Sequence, residues 1–315
     1  MKLVIQIPCL NEEQTLPATL ADIPREIPGI DVIETLVIDD GSTDQTSEVA
    51  RECGANHVIR EPVNQGLARA FSAGLDYALK HGADIIINTD ADNQYSGACI
   101  PSLLTPILDG RAEIVVGNRN PHRLAHFSMT KRFLQRLGSW IVRGLSGTSV
   151  PDVTSGFRAF SREAALRMNV VSDFTYTLET LIQAGTKQLS VTHVDVDVNP
   201  ATRPSRLFSG VSSYLYRSVA TITRIYALYN PLRVFSLLGA GLLIGGFAIG
   251  GRFLYDYLTV GGEGHIQSLI AAAVLLLAGF QTILIGLVAD LIGSSRRMLE
   301  DALLRIRRLE LDESD

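Results

Sequence analysis

Positive charge is in short supply. Lys and Arg number 28 against 33 Asp and Glu, for a net charge of −5. The chain therefore lacks the cationic face that a nucleic-acid backbone requires, and no nucleic-acid partner is expected. Cysteine is scarce as well. Cys9, Cys53 and Cys99 are scattered, with no CxxC pair and no histidines at metal-ligand spacing. That excludes a thiolate zinc site or a disulfide framework and fits plain thiols in a reducing compartment. His122, His126 and His193 are isolated, and no Ser/His/Asp set stands out. Before Pro231 there is no long apolar run, and the positive mean hydropathy of +0.20 comes largely from the residues after it. The short apolar stretch at the N-terminus meets Asn11-Glu12-Glu13 at once, so it reads as a first strand and not as a secretory leader.

What is present alternates. Residues 3–7, 35–38, 57–59, 84–88 and 113–116 are short and rich in Val and Ile, while 12–20, 43–53 and 66–81 carry apolar residues at helical spacing. Continuous apolar strands separated by helices predict an α/β domain, a mainly parallel sheet with helices on both faces. Ligands in such sheets bind at the carboxyl ends of the strands.

Two later segments, 127–145 and 206–229, mix aromatic and apolar residues with Lys131, Arg132, Arg136 and Arg143 in one and Arg217 and Arg224 in the other. Such faces suit helices at a lipid interface, and for the first segment an amphipathic helix covering the core is an equal reading. Residues 235–254 and 266–289 are each close to the ~20 residues that cross a bilayer. The connection 255–265 has Asp256 and Glu263 but no Lys or Arg. Arg217, Arg224 and Arg233 precede the first stretch, and Arg296, Arg297, Arg305, Arg307 and Arg308 follow the second. This bias predicts an integral membrane protein with both termini and the soluble domain on the cytoplasmic side. Glycines 239, 241, 245, 246, 250 and 251 in the first stretch permit close helix packing, so a homo-oligomer is an open expectation.

Three polar turns follow three predicted strands. Asp90-Ala91-Asp92-Asn93-Gln94 offers two carboxylates at i and i+2 with further oxygen donors, a hard-oxygen set for Mg²⁺ or Mn²⁺. Asp39-Asp40-Gly41-Ser42-Thr43-Asp44 places two consecutive carboxylates at a strand end, where they can accept hydrogen bonds from a nucleobase or ribose. Its Ser and Thr also suit a helix cap. Pro8-Cys9-Leu10-Asn11-Glu12-Glu13 is the third. Turns that share one end of a sheet converge on one cleft.

With Asn64-Gln65-Gly66 and Arg69, Gly117-Asn118-Arg119, and Thr154-Ser155-Gly156-Phe157-Arg158-Ala159-Phe160, these motifs cover roughly the first 230 residues in order. The chain resembles family 2 glycosyltransferases of the GT-A (Rossmann-like) fold, and within them the polyprenyl-phosphate glycosyltransferases, including dolichyl-phosphate mannose synthases. The resemblance implies a nucleotide-sugar donor and a polyprenyl-phosphate acceptor. It places Pro8, Leu10, Glu12, Asp39, Asp40, Gly66, Arg69, Asp90, Ala91 and Arg119 on the donor side. It implies a metal held by Asp90, Asp92 and Gln94, and an acceptor phosphate near Lys131, Ser155, Arg158, Arg203, Ser205 and Arg206. Asn93 stands where many members have Leu.

The implied catalytic residues are Asp92, Asp152 and Arg158. Asp152 reads equally as a positioning residue or weak base near the acceptor and as a cap on the turn before Thr154. Arg158 reads as an acceptor-phosphate ligand or as a structural ion-pair partner of Asp152. The expected reaction is a metal-dependent, inverting hexose transfer to a lipid phosphate at the cytoplasmic face. A processive polysaccharide synthase of the same superfamily is disfavoured because Ser139, not Arg, precedes the lone Trp140. A non-catalytic membrane scaffold with a sugar-nucleotide-binding domain is the other alternative. The expected organisation is a catalytic domain at 1–204, interface helices at 205–233, a two-helix transmembrane hairpin at 234–292 and a cytoplasmic tail at 293–315.

Overall fold

The computed structural model describes residues 1–119, 144, 147, 150–170, 176–199, 223–224, 226–227, 230–261 and 266–312. In chain order these form β1 (Lys2–Cys9), α1 (Leu16–Asp22), β2 (Val32–Asp39), α2 (Thr46–Glu52), β3 (His57–Arg60), α3 (Leu67–Lys80) and β4 (Ile85–Asn88). Next come α4 (Ile100–Leu108), β5 (Ile114–Asn118), β6 (Arg158–Ser161), α5 (Arg162–Arg167), α6 (Tyr176–Thr186) and β7 (Val191–Asp195). Two long helices follow, α7 (Pro231–Val260) and α8 (Ile266–Asp312). The interface-helix expectation for 127–145 and 206–229 falls almost wholly outside the described residues.

The sheet has seven strands in the order β3-β2-β1-β4-β6-β5-β7. All neighbours run parallel except that β6 lies antiparallel between β4 and β5. The mainly parallel sheet is as expected, and the reversed strand explains why its short, Arg-led sequence gave no parallel-strand signal. β1 and β4 are the central strands and nearly every residue on them is buried. Such strands must be apolar on both faces, hence the runs Leu3-Val4-Ile5 and Ile85-Ile86-Ile87. One face packs Leu3, Ile5, Ile7 and Ile87 against Leu16, Leu103 and Leu104. On the other, Phe71 stacks on Tyr176 at 4.0 Å and meets Phe160 edge-on.

One polar line crosses this interior. Gln6 Nε2 donates to Asn88 Oδ1 (2.9 Å), and Asn88 Nδ2 donates to the Gly156 carbonyl (2.9 Å) and the Tyr176 hydroxyl (2.8 Å). Buried amides need such partners, and these tie β1 and β4 to the 156 turn. Because Cys9 aligns with Asp39 and Gln6 with Asn88, β1, β2 and β4 end on one edge of the sheet.

The chain divides into two compact units, residues 1–222 with 304–315, and residues 223–303. The last residues thus belong with the first unit, so the chain enters and leaves the second unit from the first. Two helices are long and apolar enough to cross a membrane, Pro231–Thr259 in α7 and Ile266–Leu311 in α8, the last turns of α8 belonging to the first unit. At 47 residues, α8 is about 70 Å long, well beyond a ~30 Å hydrocarbon core. The two helices touch through glycine. A Cβ on Gly239 would sit 2.8 Å from the Gly279 carbonyl, and one on Gly279 would sit 2.8 Å from the Gly239 carbonyl. Gly246 is similarly closed by Leu276, whereas Gly241 and Gly251 face open space. Part of the glycine stripe is therefore spent inside the hairpin.

Candidate active site

The three polar turns do meet. The first reverses at Asn11, which takes the left-handed conformation (φ 55°) that Asn tolerates better than most residues. Its amide donates to Ser42 Oγ (2.9 Å), and its Oδ1 accepts from the Thr43 amide (2.8 Å). The Glu12 amide donates to Thr46 Oγ1 (2.9 Å), and its carboxylate accepts from Thr15 Oγ1 (2.6 Å). Pro8 is buried and Leu10 exposed at this edge.

In the second turn both carboxylates are buried and engaged by the protein. Asp39, 0 % exposed, accepts from the Ser42 amide (2.8 Å) and from Ser47 Oγ. Asp40 accepts from the amides of Gln65 and Gly66, both at 2.8 Å. Each carboxylate oxygen thus already accepts one bond from the protein. Asp40 fixes the start of α3, where Gly66 has φ 95°, and Asp39 caps its own turn. Arg69 lies in the first turn of α3, exposed, with Nη1 on Gln65 Oε1.

In the third turn Ala91 is buried and its carbonyl accepts from Thr19 Oγ1 (3.0 Å). Asp92 Oδ1 accepts from the Gln94 amide (3.1 Å), and Asn93 is left-handed (φ 53°). Asp90 accepts no hydrogen bond from any described residue. Burial and then the neighbouring charge of Asp92 push its carboxyl up to about 7, against the opposing pull of Arg119. The buried Oδ1 of Asn93 also lacks a hydrogen-bond partner. A crowded carboxylate pair beside an unmet carbonyl is an arrangement that a divalent cation would complete, and oxygen donors of this kind suit Mg²⁺ or Mn²⁺. Space for Asp90 depends on Gly156, where a Cβ would lie 2.8 Å from Asp90 Oδ1 and 2.9 Å from the Tyr176 hydroxyl.

Arg119 closes one side. Its Nε and Nη2 donate to the two oxygens of Asp152 (2.7 and 3.1 Å), and Nη2 also reaches Thr154 Oγ1 (3.1 Å). Its guanidinium lies over the Tyr95 ring at 5.8 Å, and the Tyr95 hydroxyl accepts from the Gly156 amide and from Ser155 Oγ. Burial alone would raise the Asp152 carboxyl, but Arg119 and the Thr154 hydroxyl outweigh it and hold the group below the ordinary range. A depressed, fully paired carboxylate is a poor base, and this pairing fixes the Arg119 guanidinium.

Arg158 departs most from expectation. It is 0 % exposed and does not pair with Asp152. Its Nε donates to the Ser155 carbonyl, Nη2 to the Val153 carbonyl, and Nη1 to the Thr177 carbonyl and Thr180 Oγ1, all at 2.6–2.8 Å. Burial lowers its pKa to about 10. It braces the 153–158 turn against α6. Ser155, also fully buried, bonds Tyr95 instead. Lys131, Arg203, Ser205 and Arg206 lie outside the described residues. Sequence reasoning missed Tyr95, Tyr176 and Asn199. Tyr95 directly follows the acidic motif and was findable, whereas the other two are brought in only by folding.

The profile of glycosyl transferase family 2 matches residues 4–167, which carry all three turns, and that of the GtrB C-terminal hairpin matches residues 230–295. The chain belongs to glycosyl transferase family 2. Its relatives include an uncharacterized glycosyltransferase of Mycobacterium bovis, 34 % identical over 207 residues, covering 65 % of this chain and 89 % of the relative. An undecaprenyl-phosphate mannosyltransferase of Micrococcus luteus is 26 % identical over 71 % of this chain and 93 % of its own. The glycosyltransferase AglJ of Haloferax volcanii is 26 % identical and aligns over 97 % of both chains. Among solved structures, glucosyl-3-phosphoglycerate synthase from Mycobacterium tuberculosis, in complex with Mn²⁺, UDP-glucose and phosphoglyceric acid, superposes with a TM-score of 0.59. It is 21 % identical, covering 72 % of this chain and 80 % of that one, and shares the GT-A-like fold.

Proposed function

We propose that this glycosyltransferase moves one hexose from a UDP- or GDP-linked donor to a polyprenyl phosphate, with inversion at the anomeric carbon and with Mg²⁺ or Mn²⁺ as cofactor. The observation that carries the reading is the Asp90–Gln94 turn, where one carboxylate receives no hydrogen bond and is pushed up to about 7 beside a second. Asp90, Asp92 and Gln94 would hold the ion, which when bound neutralises charge on the departing diphosphate. Glu12 and Asp39 line the nucleoside pocket, with Asp40 and Gly66 shaping its floor. Arg119, aimed by Asp152, faces the donor phosphates. Lys131, Arg203, Ser205 and Arg206 are the proposed contacts for the lipid phosphate.

The acceptor oxygen is already anionic at neutral pH, so it needs little help from a base. A bond forms between it and the anomeric carbon as the bond to the nucleoside diphosphate breaks. The protein supplies in-line positioning and shields two anions from each other. The names of the Micrococcus relative and of a polyprenol monophosphomannose synthase of Mycolicibacterium smegmatis, 27 % identical over 53 % of this chain, support a lipid-phosphate acceptor. So do the two apolar helices, because such an acceptor lives in a bilayer. Arginines on both flanks of the hairpin support a cytoplasmic location for both ends.

The test incubates the full-length protein in detergent with Mn²⁺, polyprenyl phosphate and labelled UDP-glucose or GDP-mannose in turn. One donor should label the lipid, and Asp92→Ala should abolish the product. Absence of labelled lipid with every donor, together with unchanged nucleotide binding in Asp92→Ala, would refute the proposal.

A further inference from the structure

The acidic turn does not hold itself. It is stapled by the segment that leaves β7, about a hundred residues further along the chain. The Asn199 amide donates to the Gln94 carbonyl (2.8 Å), and Asn199 Nδ2 donates to the Asn93 carbonyl (3.0 Å). Tyr95 and Val198 form an isolated antiparallel bridge, and the Asp197 amide reaches Cys99 Sγ (3.3 Å). The 93–94 and 94–95 peptides are therefore both pinned by one residue. The Gln94 amide is fixed as well, on Asp92 Oδ1. With the peptides on either side of its Cα held, Gln94 keeps only its side-chain torsions, and Asn93 is held in its left-handed form.

We infer that Asn199 is a positioning residue for the metal-holding turn, setting the backbone from which Asp92 and Gln94 present their oxygens. This rests on the reading of that turn given above. Asn199 also stands four residues before Arg203, a reach of at most ~14 Å. The segment proposed to meet the acceptor phosphate therefore begins at the staple that holds the donor side.

Asn199→Asp keeps the shape but removes the side-chain donor, and Asn199→Ala removes the side chain while leaving the backbone bond. Binding of Mn²⁺ to the full-length protein in detergent, with saturating UDP or GDP, is read by the electron-paramagnetic-resonance signal of unbound Mn²⁺. Loss of a supporting contact of this kind weakens metal binding by about tenfold or more, and both variants should show it with an unshifted thermal midpoint. Asp92→Ala is the control for the underlying reading and should abolish nucleotide-dependent Mn²⁺ binding. If Asp92→Ala abolishes it and both Asn199 variants bind as wild type, the inference about Asn199 fails and the reading of the turn stands. If Asp92→Ala binds as wild type, the reading itself fails. Weakening that only tracks a loss of folded protein overturns the positioning role.

Discussion

Replacing Asp152 with Asn separates its charge from its shape. The Asp152 side chain is 0 % exposed and that of Arg119 is 18 % exposed, so the pair is largely shielded from water. Breaking a fully buried pair from one side costs about 3–5 kcal/mol, because the survivor is left charged and unpaired. Arg119 keeps a partial route to solvent, Thr154 Oγ1 and the Tyr95 face, and Asn still offers one acceptor oxygen. These reduce the expected loss to about 2–3 kcal/mol, which for a unit of this size lowers the thermal midpoint by roughly 5–10 °C. Cys9 is buried in β1, Cys53 is exposed and Cys99 is half-buried, so a thiol-reactive dye on a Cys53→Ser/Cys99→Ser background reports unfolding of the catalytic unit through Cys9.

The pH dependence gives a second reading. Asp152 titrates below the ordinary 3.8 in the folded protein, so its stabilisation is complete above that value and fades as pH falls toward the depressed one. The gap between wild type and Asp152→Asn should be flat from about pH 5 to 8 and should narrow below about pH 4. A gap under 1 °C at pH 7, by the scale of about 2–4 °C per kcal/mol, or one that widens on acidification, would refute the claim that the ion pair holds this wall.

Gly156→Ala puts a methyl group 2.8 Å from Asp90 Oδ1 and should lower stability by about 1–3 kcal/mol. It should also weaken nucleotide-dependent Mn²⁺ binding, measured by titration calorimetry. Arg158→Lys cannot serve four acceptors at once and strands buried carbonyls. It should lower the midpoint by as much as or more than Asp152→Asn, while acceptor KM measured on the surviving folded fraction stays near wild type. Arg307 meets Asp76 (3.3 Å) and the carbonyls of Leu166 and Met168, and Arg308 pairs with Glu163 (2.8 Å), all within the first unit. Replacing both with Ala should remove about 1–2 kcal/mol of partly exposed contacts. Limited proteolysis should then cleave near residue 304 faster, and high salt should speed cleavage of the wild type more than that of the variant.

The sheet was legible because its strands are buried on both faces. A strand such as Ile85-Ile86-Ile87 has no other use for three consecutive branched apolar residues. The two long apolar helices were legible for the same reason, since length and uniform apolarity show in the sequence without tertiary detail. The acidic turn was legible as a motif because it follows a buried strand directly and shares its sheet end with two further polar turns.

What the sequence could not reveal was which charged side chains point at the ligand and which at the protein. Arg158 sits inside a matched motif and looked like a phosphate ligand, yet four backbone and hydroxyl acceptors from α6 and the 153–155 turn consume its fork. Asp152 found its cation 33 residues upstream in Arg119, and Asn199 found its carbonyls more than a hundred residues upstream. Those partners are chosen by strand order, by β6 entering the sheet reversed and β7 joining β5. Periodicity and motif spacing act over a few residues and determine which elements form. Which polar group is satisfied by protein and which is left for a ligand depends on contacts between distant segments, and only the folded chain decides that.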